Sequence, residues 1–360
     1  MDIRALMEGK ITGVQVYIIN LLDALFQIDS SNQYVLFANS FGRVERQVKL
    51  FEYTNVQYQI FYYPNKIFNL SQKYLGYPKV DRMIGGIDLF FSPHWRSISI
   101  NDKIPLVVTF HDLSFELMPE FFTIRQRLWH RFMNYKQAAI RAKKIIAVSQ
   151  NTKKDLVEIY KIEKAKIEVI YPGVTDPKLI SNHNKPKKYF LYFGTFEPRK
   201  NIETVLAAYE KYLEQSQIGL PLVLAGSSGW KTKLRIPKKF ESHISIFQNV
   251  DETKKTELYR NAFASLFVSF YEGFGFPILE SAVHGVPVIA SSSTSLLEIA
   301  SNFSLFVSPF RSAQLSSAML DLERDGKMYG ALKNRGLQEV KKFSWKNCAR
   351  QTLALFEELI

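Results

Sequence analysis

Two carboxylates, a histidine and a pair of adjacent cations are the residues best suited to chemistry. Glu272 and Glu280 bracket Glu272-Gly-Phe-Gly-Phe-Pro-Ile-Leu-Glu280. Gly273 and Gly275 let a backbone approach a ligand closely, and Pro277 pre-sets the first turn of a helix. One carboxylate then sits in a loop and the other in the opening turns of a helix, so both can face one crevice. Carboxylates accept hydrogen bonds from hydroxyls, and amides at a helix start attract anions. That mixture suits a ligand carrying both phosphates and sugars. Arg199-Lys200 offers fixed positive charge to a phosphate, or is a solvated surface pair. His111-Asp112 follows the apolar run Leu106–Phe110. Ligands collect at such strand ends, so His111 is either a functional group or a satisfied structural one. Glu8-Gly-Lys-Ile-Thr-Gly13 precedes an amphipathic run, and Gly13 opens a helix that can hold a phosphate or merely be capped.

These residues need a scaffold, and the hydrophobic pattern supplies one. Continuous apolar runs predict buried parallel strands at Leu106–Phe110 and Ala264–Ser269. Further strands are expected at Gln33–Ala38, Ile87–Ser92, Ile145–Val148, Ile167–Ile170, Tyr189–Phe193, Leu222–Ala225 and Ile244–Phe247. Helical spacing marks Gly13–Phe26, Asn151–Tyr160, Ile202–Glu214 and Ile278–His284, with closing helices near Ala313–Asp321, Lys327–Lys341 and Trp345–Leu359. The polar stretches Tyr171–Pro177 and Asn182–Lys188 read as an interdomain linker. Strands alternating with helices on both sides of it predict two doubly wound α/β domains.

Composition narrows the function. The 360 residues are 46% hydrophobic and 22% charged, which are globular values for a two-domain chain. No apolar run reaches the roughly 18 residues that span a bilayer. No signal peptide opens the sequence, and the single cysteine, Cys348, points to the cytosol. One cysteine also excludes a thiolate zinc cluster, and there is no His-x-x-x-His pair. A Gly-Lys-Ser/Thr phosphate loop, a Gly-x-Ser-x-Gly elbow and a Gly-x-Gly-x-x-Gly dinucleotide loop are all missing.

The net charge of +13 calls for an anionic partner: nucleic acid, a membrane face or phosphorylated small molecules. Residues 1–175 carry 23 basic and 16 acidic side chains, a balance close to that of the remainder, which disfavours nucleic acid. Two stretches are locally one-sided. Tyr53–Val80 holds eight Phe or Tyr and three Lys without an acid, a pattern that suits single-stranded nucleic acid, a membrane interface or a packed surface. Phe121–Lys154 holds nine Lys or Arg and no acid. Trp129, Phe132 and Met133 interleave there with Arg127, Arg131 and Lys136, as in a basic amphipathic helix. Such a helix is a solvated face or one that adsorbs to anionic lipid.

Taken together, these motifs resemble the retaining nucleotide-sugar glycosyltransferases of family 4, in particular their bacterial mannosyl- and rhamnosyltransferase-like branch. Glu272–Glu280 matches the family's E-x7-E motif, followed by the His284-Gly-Val-Pro287 turn. Phe110-His-Asp-Leu-Ser-Phe115, Ala147-Val-Ser149, Ile170-Tyr-Pro-Gly-Val174 and Phe193–Asn201 are also similar. The resemblance implies a GT-B fold, with two Rossmann-like domains facing a cleft. Residues 1–175 would form the acceptor side, its first strand shortened because the sequence starts at the residues matching Asp2-Ile-Arg4. Residues 176–343 would bind the nucleotide sugar, and 344–360 would form a helix returning to the first domain.

The same resemblance implies residue roles. Glu280 would bind ribose hydroxyls and Glu272 the transferred sugar, with Gly273, Phe274 and Gly275 lining sugar and phosphate. Lys200 would neutralise the diphosphate, assisted by Arg199. Thr195 stands where relatives often carry an arginine, and Gly13 lies in the loop that faces the phosphates. His111 would stabilise the transition state beside the donor sugar. No cofactor and no metal would be needed. The implied reaction moves a hexose, mannose-like by preference, to a glycan or polyprenyl-diphosphate-linked acceptor for surface polysaccharide or O-antigen. The expected setting is cytoplasmic, or peripheral on the inner face of the plasma membrane, with no nucleic-acid partner. The alternative is a non-catalytic nucleotide-sugar-binding subunit of the same fold.

Overall fold

The computed structural model describes residues 1–8, 12–41, 51–175, 188–231, 236 and 238–360. The chain divides into two compact units. The first comprises Met1–Leu113, Arg125–Gly173 and Phe343–Ile360; the second comprises Ser114–Ile124 and Val174–Lys342. The predicted linker falls mainly on 176–187, outside the described residues.

Every strand pairing among the described residues is parallel, and the central strands are buried and largely apolar, as strands covered on both faces are. In the first unit β1 (Tyr34–Asn39) pairs with β2 (Val56–Phe61), while β3 (Phe90–Ser92), β4 (Leu106–Phe110), β5 (Lys144–Ala147) and β6 (Ile167–Val169) form a second sheet in chain order. Met1–Ile3 lies between them. Phe37 N–H donates to Met1 O (2.8 Å), Ile3 N–H to Phe37 O (2.9 Å) and Asp2 N–H to Phe91 O (2.9 Å). Three residues thus bridge β1 to β3.

The first unit closes with the helix Trp345–Glu357, which packs on the helix Gly13–Ile28. Phe356 meets Phe91 with ring centroids 5.1 Å apart, and Trp345 meets Tyr17 at 6.0 Å. Gly173 permits this closure, because a Cβ there would lie 2.2 Å from Trp345 N.

The second unit is a six-stranded sheet in the order β12-β11-β10-β7-β8-β9. Its strands are β7 (Tyr189–Phe193), β8 (Leu222–Gly226), β9 (Ile244–Gln248), β10 (Ala262–Phe267), β11 (Val288–Ser291) and β12 (Ser304–Val307). The chain runs outward from β7 to β9, then restarts on the other side at β10. The switch point therefore falls between β7 and β10, and their carboxyl ends flank the crevice where such sheets bind ligands. Phe190, Tyr192, Tyr209, Tyr212 and Leu266 fill one face of the sheet; Leu191, Val223, Ala225 and Tyr259 fill the other.

Ser114–Ile124, which follows β4 in sequence, packs with this second unit. Trp230 Nε1–H donates to Phe121 O (2.8 Å), and the Lys231 ammonium donates to Glu120 O (2.8 Å) and Phe122 O (2.9 Å).

Three details depart from the sequence reading. β2 lies inside the aromatic-lysine stretch and was not anticipated, although Val56, Tyr58 and Ile60 alternate with polar residues as a strand requires. β12 was missed too. The basic stretch is not one helix: Asn134, at φ +50, separates Ile124–Met133 from Tyr135–Arg141. Asparagine tolerates this left-handed conformation, and its side chain accepts from Gln137 N–H (3.3 Å) to start the second helix.

Candidate active site

Four loops at the carboxyl ends of β7, β8, β10 and β11 build the site in the second unit. The loop after β7 passes through Thr195 to a short 3-10 turn at Pro198–Lys200. Asn201 fixes it from behind: Nδ2 donates to Val268 O (3.0 Å) and Pro309 O (2.7 Å). Phe270 N–H donates to Arg199 O (2.9 Å), tying this loop to the one after β10. Thr195 Oγ1 lies 3.2 Å from Ser227 Oγ in the loop after β8. The loop after β11 holds up the third: Glu272 N–H donates to Thr294 Oγ1 (3.0 Å), and Ser295 Oγ donates to Glu272 O (2.9 Å) and Phe274 O (3.1 Å). Glu272-Gly273-Phe274 is thus held by its main chain before Gly275 caps the helix Phe276–Val283.

Four charged side chains form one chain of contacts across this frame. Lys200 Nζ donates to Glu272 Oε1 at 2.6 Å. Arg199 Nη1 lies 3.2 Å from Glu272 Oε2 and donates to Tyr271 O at 2.8 Å. Arg199 Nη2 donates to Glu197 Oε1 at 2.6 Å. Glu197 and Glu272 are both buried. Two cations and two carboxylates cancel, which is what makes burial of all four tolerable. The Lys200 ammonium also lies 5.2 Å from the Phe267 ring centroid.

Burial alone would raise the Glu272 carboxyl, but Lys200 and then Arg199 outweigh it and hold it below its ordinary value of 4.5. A depressed carboxyl contributes stability above that ordinary value and loses it as pH falls through the folded one. Melting temperature should therefore decline below about pH 4.5, and Glu272→Gln should flatten that acid limb. An acid limb of unchanged steepness in Glu272→Gln would show that the loss comes from other groups.

Glu280 has its own partners, which the sequence did not disclose. Oε1 accepts from Lys255 Nζ (2.9 Å) and Oε2 from the Tyr259 hydroxyl (3.0 Å). Both partners lie on the helix Glu252–Asn261. Burial opposes the Lys255 charge, but Glu280 and Glu252 prevail and raise its pKa above the ordinary 10.5. Nothing in the sequence ties that helix to Glu280.

His111 and Gly13 belong to the first unit. His111 stands at the end of β4, where Nε2 lies 2.8 Å from Pro93 O. A carbonyl only accepts, so Nε2 carries the proton and a neutral ring leaves Nδ1 as an acceptor. Tyr17 meets the ring edge-on at 4.8 Å, and His94 lies 5.8 Å away. Burial lowers the His111 pKa below 6.5, against a smaller opposing pull from Pro93 and Asp112, so the ring is neutral at physiological pH. Gly13 is the first residue of its helix and exposed. Gln15 caps that start by accepting from Thr12 N–H (3.0 Å). Gly9–Ile11, the rest of the glycine loop, lie outside the described residues.

Among the described residues, no group of three or more His, Cys, Asp or Glu is placed to hold a metal ion. No helix there is long and apolar enough to cross a membrane.

Comparison with known proteins agrees with this architecture. The model of glycosyltransferase family 4 matches residues 11–176, and that of glycosyl transferases group 1 matches residues 176–339. The O-antigen chain mannosyltransferase B of Escherichia coli is 31% identical over 268 residues, 70% of each chain. The O-antigen chain mannosyltransferase RfbU of Salmonella typhimurium is 26% identical over 228 residues, which cover 61% of this chain and 63% of that protein. Among solved structures, sucrose-phosphate synthase from Thermosynechococcus elongatus superposes with a TM-score of 0.72 at 20% identity, covering 97% of this chain and 94% of that one. Anabaena HepE in complex with UDP-glucose gives 0.71 at 15% identity over 98% of both chains. The fold is GT-B, two Rossmann-like α/β domains. The chain belongs to the group 1, family 4 glycosyltransferases.

Proposed function

We propose that this chain is a retaining hexosyltransferase that moves a mannose-like sugar from a nucleoside diphosphate to a glycan acceptor in O-antigen or related polysaccharide synthesis. The observation that carries the reading is the Lys200–Glu272 pair held at the switch point of the second domain, in a chain whose relatives include O-antigen mannosyltransferases. A non-catalytic subunit is the weaker reading, because those relatives are named as transferases.

The chemistry follows from charge. The bond between the anomeric carbon and the diphosphate oxygen breaks, leaving positive charge on the sugar and negative charge on the phosphate. Lys200, with Arg199 behind it, stabilises the leaving phosphate. Glu272 holds sugar hydroxyls and Glu280 the ribose hydroxyls, while Gly273, Phe274 and Gly275 supply main-chain amides. Thr195 lines the phosphate side, and Gly13, in the first domain, is assigned to the phosphates by the family resemblance alone. Neutral His111 offers a hydrogen-bond acceptor toward the sugar. The acceptor oxygen bonds to the anomeric carbon on the face the phosphate leaves, and its proton passes to that phosphate. Two protein cations supply the charge neutralisation, so no metal is required; activity should survive EDTA.

We take the acceptor to be a lipid-linked glycan, with the protein working at the cytoplasmic face of a membrane. A thermal-shift screen over GDP-, UDP- and dTDP-sugars tests the donor claim. The true donor at a hundred times its dissociation constant should stabilise the fold by about 2.7 kcal/mol. Glu280→Ala should remove most of that shift. No stabilisation by any nucleotide sugar would reject the reading.

A further inference from the structure

The first domain carries an exposed apolar surface that contains none of the residues assigned to sugar transfer. The helix Asn65–Leu70 continues into a π-helical turn, Ser71–Leu75. Its inner side is fixed: Phe68 is buried, Gln72 Nε2 donates to Pro78 O (2.8 Å), and Gln72 Oε1 accepts from Ser99 N–H (2.7 Å). Its outer side is apolar and open, with Leu75 76%, Tyr74 68% and Ile67 65% exposed. On the helix Ile124–Met133, Leu128 is 61% and Trp129 42% exposed.

The two segments are joined at Phe132. The Lys73 ammonium donates to Phe132 O and lies 4.1 Å from its ring centroid. Tyr74 meets the same ring at 6.2 Å, and Trp129 stacks on it at 5.7 Å. The result is one composite face, assembled before any partner arrives. Exposed Lys66, Arg125, Arg127, Arg131 and Lys136 accompany it. Neither Tyr53–Val80 nor Phe121–Lys154 contains an acid.

We propose that this face seats the first domain on an anionic lipid bilayer. Ile67, Leu75 and Leu128 enter the headgroup boundary. Tyr74 and Trp129 sit at its level, as aromatic side chains with a polar edge do. The surrounding guanidinium and ammonium groups meet lipid phosphates. Charge complementarity decides for a bilayer over a protein partner: a fringe of one sign over two separate segments matches a continuous anionic sheet. Lys73 is a positioning residue, its ammonium spent on Phe132 rather than lipid. The lipid-linked acceptor of the proposed function gives the docking its purpose, but the face stands on its own geometry.

The test is sedimentation of the full chain with vesicles of 30% phosphatidylglycerol in phosphatidylcholine at physiological salt, beside pure phosphatidylcholine. Binding is expected to the anionic vesicles only, and to weaken in 1 M NaCl. Arg125→Glu with Arg127→Glu should weaken it roughly thirtyfold or more, taking each basic group near the surface at its usual weight. Leu75→Glu with Trp129→Glu should abolish it. Lys73→Met, which keeps the apolar stem, should weaken it while leaving the thermal shift by nucleotide sugar unchanged. Wild-type protein that ignores anionic vesicles would overturn the proposal, as would variants that bind undiminished. Self-association lost in the Leu75/Trp129 variant, without vesicle binding, would assign the face to a second copy instead. Vesicle binding without donor stabilisation would reject only the proposed function; the converse would reject only this inference.

Discussion

Lys200→Ala should lower sugar transfer roughly 10²–10³-fold, the usual loss when one preorganised donor to a developing oxyanion is removed. The ammonium is held in place 2.6 Å from Glu272. An incoming diphosphate takes over a cation that needs no reorganisation. Glu272 is not orphaned by the substitution, because Arg199 remains 3.2 Å from its other oxygen. Two buried carboxylates are then left to one guanidinium, so melting temperature should fall as well; the loss of kcat is read on protein that is still folded. Lys200→Arg should recover part of the rate, since it restores charge without the compact geometry of an ammonium. A folded Lys200→Ala protein with near wild-type kcat would remove Lys200 from the mechanism.

Gly226→Ala should be the most damaging single methyl group in the second domain. Gly226 ends β8 at φ +148, and a Cβ there would lie 1.9 Å from the carbonyl oxygen of Gly194 at the end of β7. The neighbour is main chain, tied to β8 by Gly194 N–H donating to Ala225 O (2.9 Å), and cannot rotate aside. Backbone strain and overpacking together imply a loss of about 3–5 kcal/mol. In a domain of this size that corresponds to roughly 10 °C in melting temperature. Gly219→Ala is the control. Gly219 is also at positive φ (+64), but its nearest foreign atom would be Leu213 Cδ2 at 3.8 Å, so only about 1–2 kcal/mol is expected. Equal losses in the two variants would mean that the contact between strand ends carries no special cost. Donor affinity should fall with Gly226→Ala as well, because the same strand ends carry Thr195 and Ser227.

The strand-loop-helix around Glu272 was legible because its punctuation is local. An apolar run, two glycines and a proline specify the turn without help from distant residues. Leu106–Phe110 and Tyr189–Phe193 were legible for a similar reason: strands buried on both faces leave unbroken apolar runs. The short, half-exposed strand Val56–Phe61 did not, and its neighbouring aromatics drew attention to surface chemistry instead. Asn134 broke a helix that charge and spacing favoured, through a conformation only a few residue types tolerate. The identities of Glu272 and Lys200 were visible, but their pairing was not. They lie 72 residues apart, and only the order of β7 beside β10 brings them together. Glu197 was passed over because a turn carboxylate looks solvated in sequence; in the fold it is buried against Arg199. Lys255 and Tyr259 stayed hidden for the same topological reason.

The return of the helix Trp345–Glu357 to the first unit has a consequence for biosynthesis. Tyr171 and Phe343 meet at 6.0 Å, so after the short excursion of Ser114–Ile124 the chain leaves the first unit for the second time and returns to it at one place. Residues 174–342 are in effect a loop inserted at that place. On the ribosome, the inserted domain has almost all of its sequence available before the first domain receives its last helix. Until then the apolar side of Gly13–Ile28 and the ring of Phe91 stand uncovered. The half of the protein made first is thus the half finished last, and a nascent chain stalled near residue 340 would expose just the surface that chaperones bind.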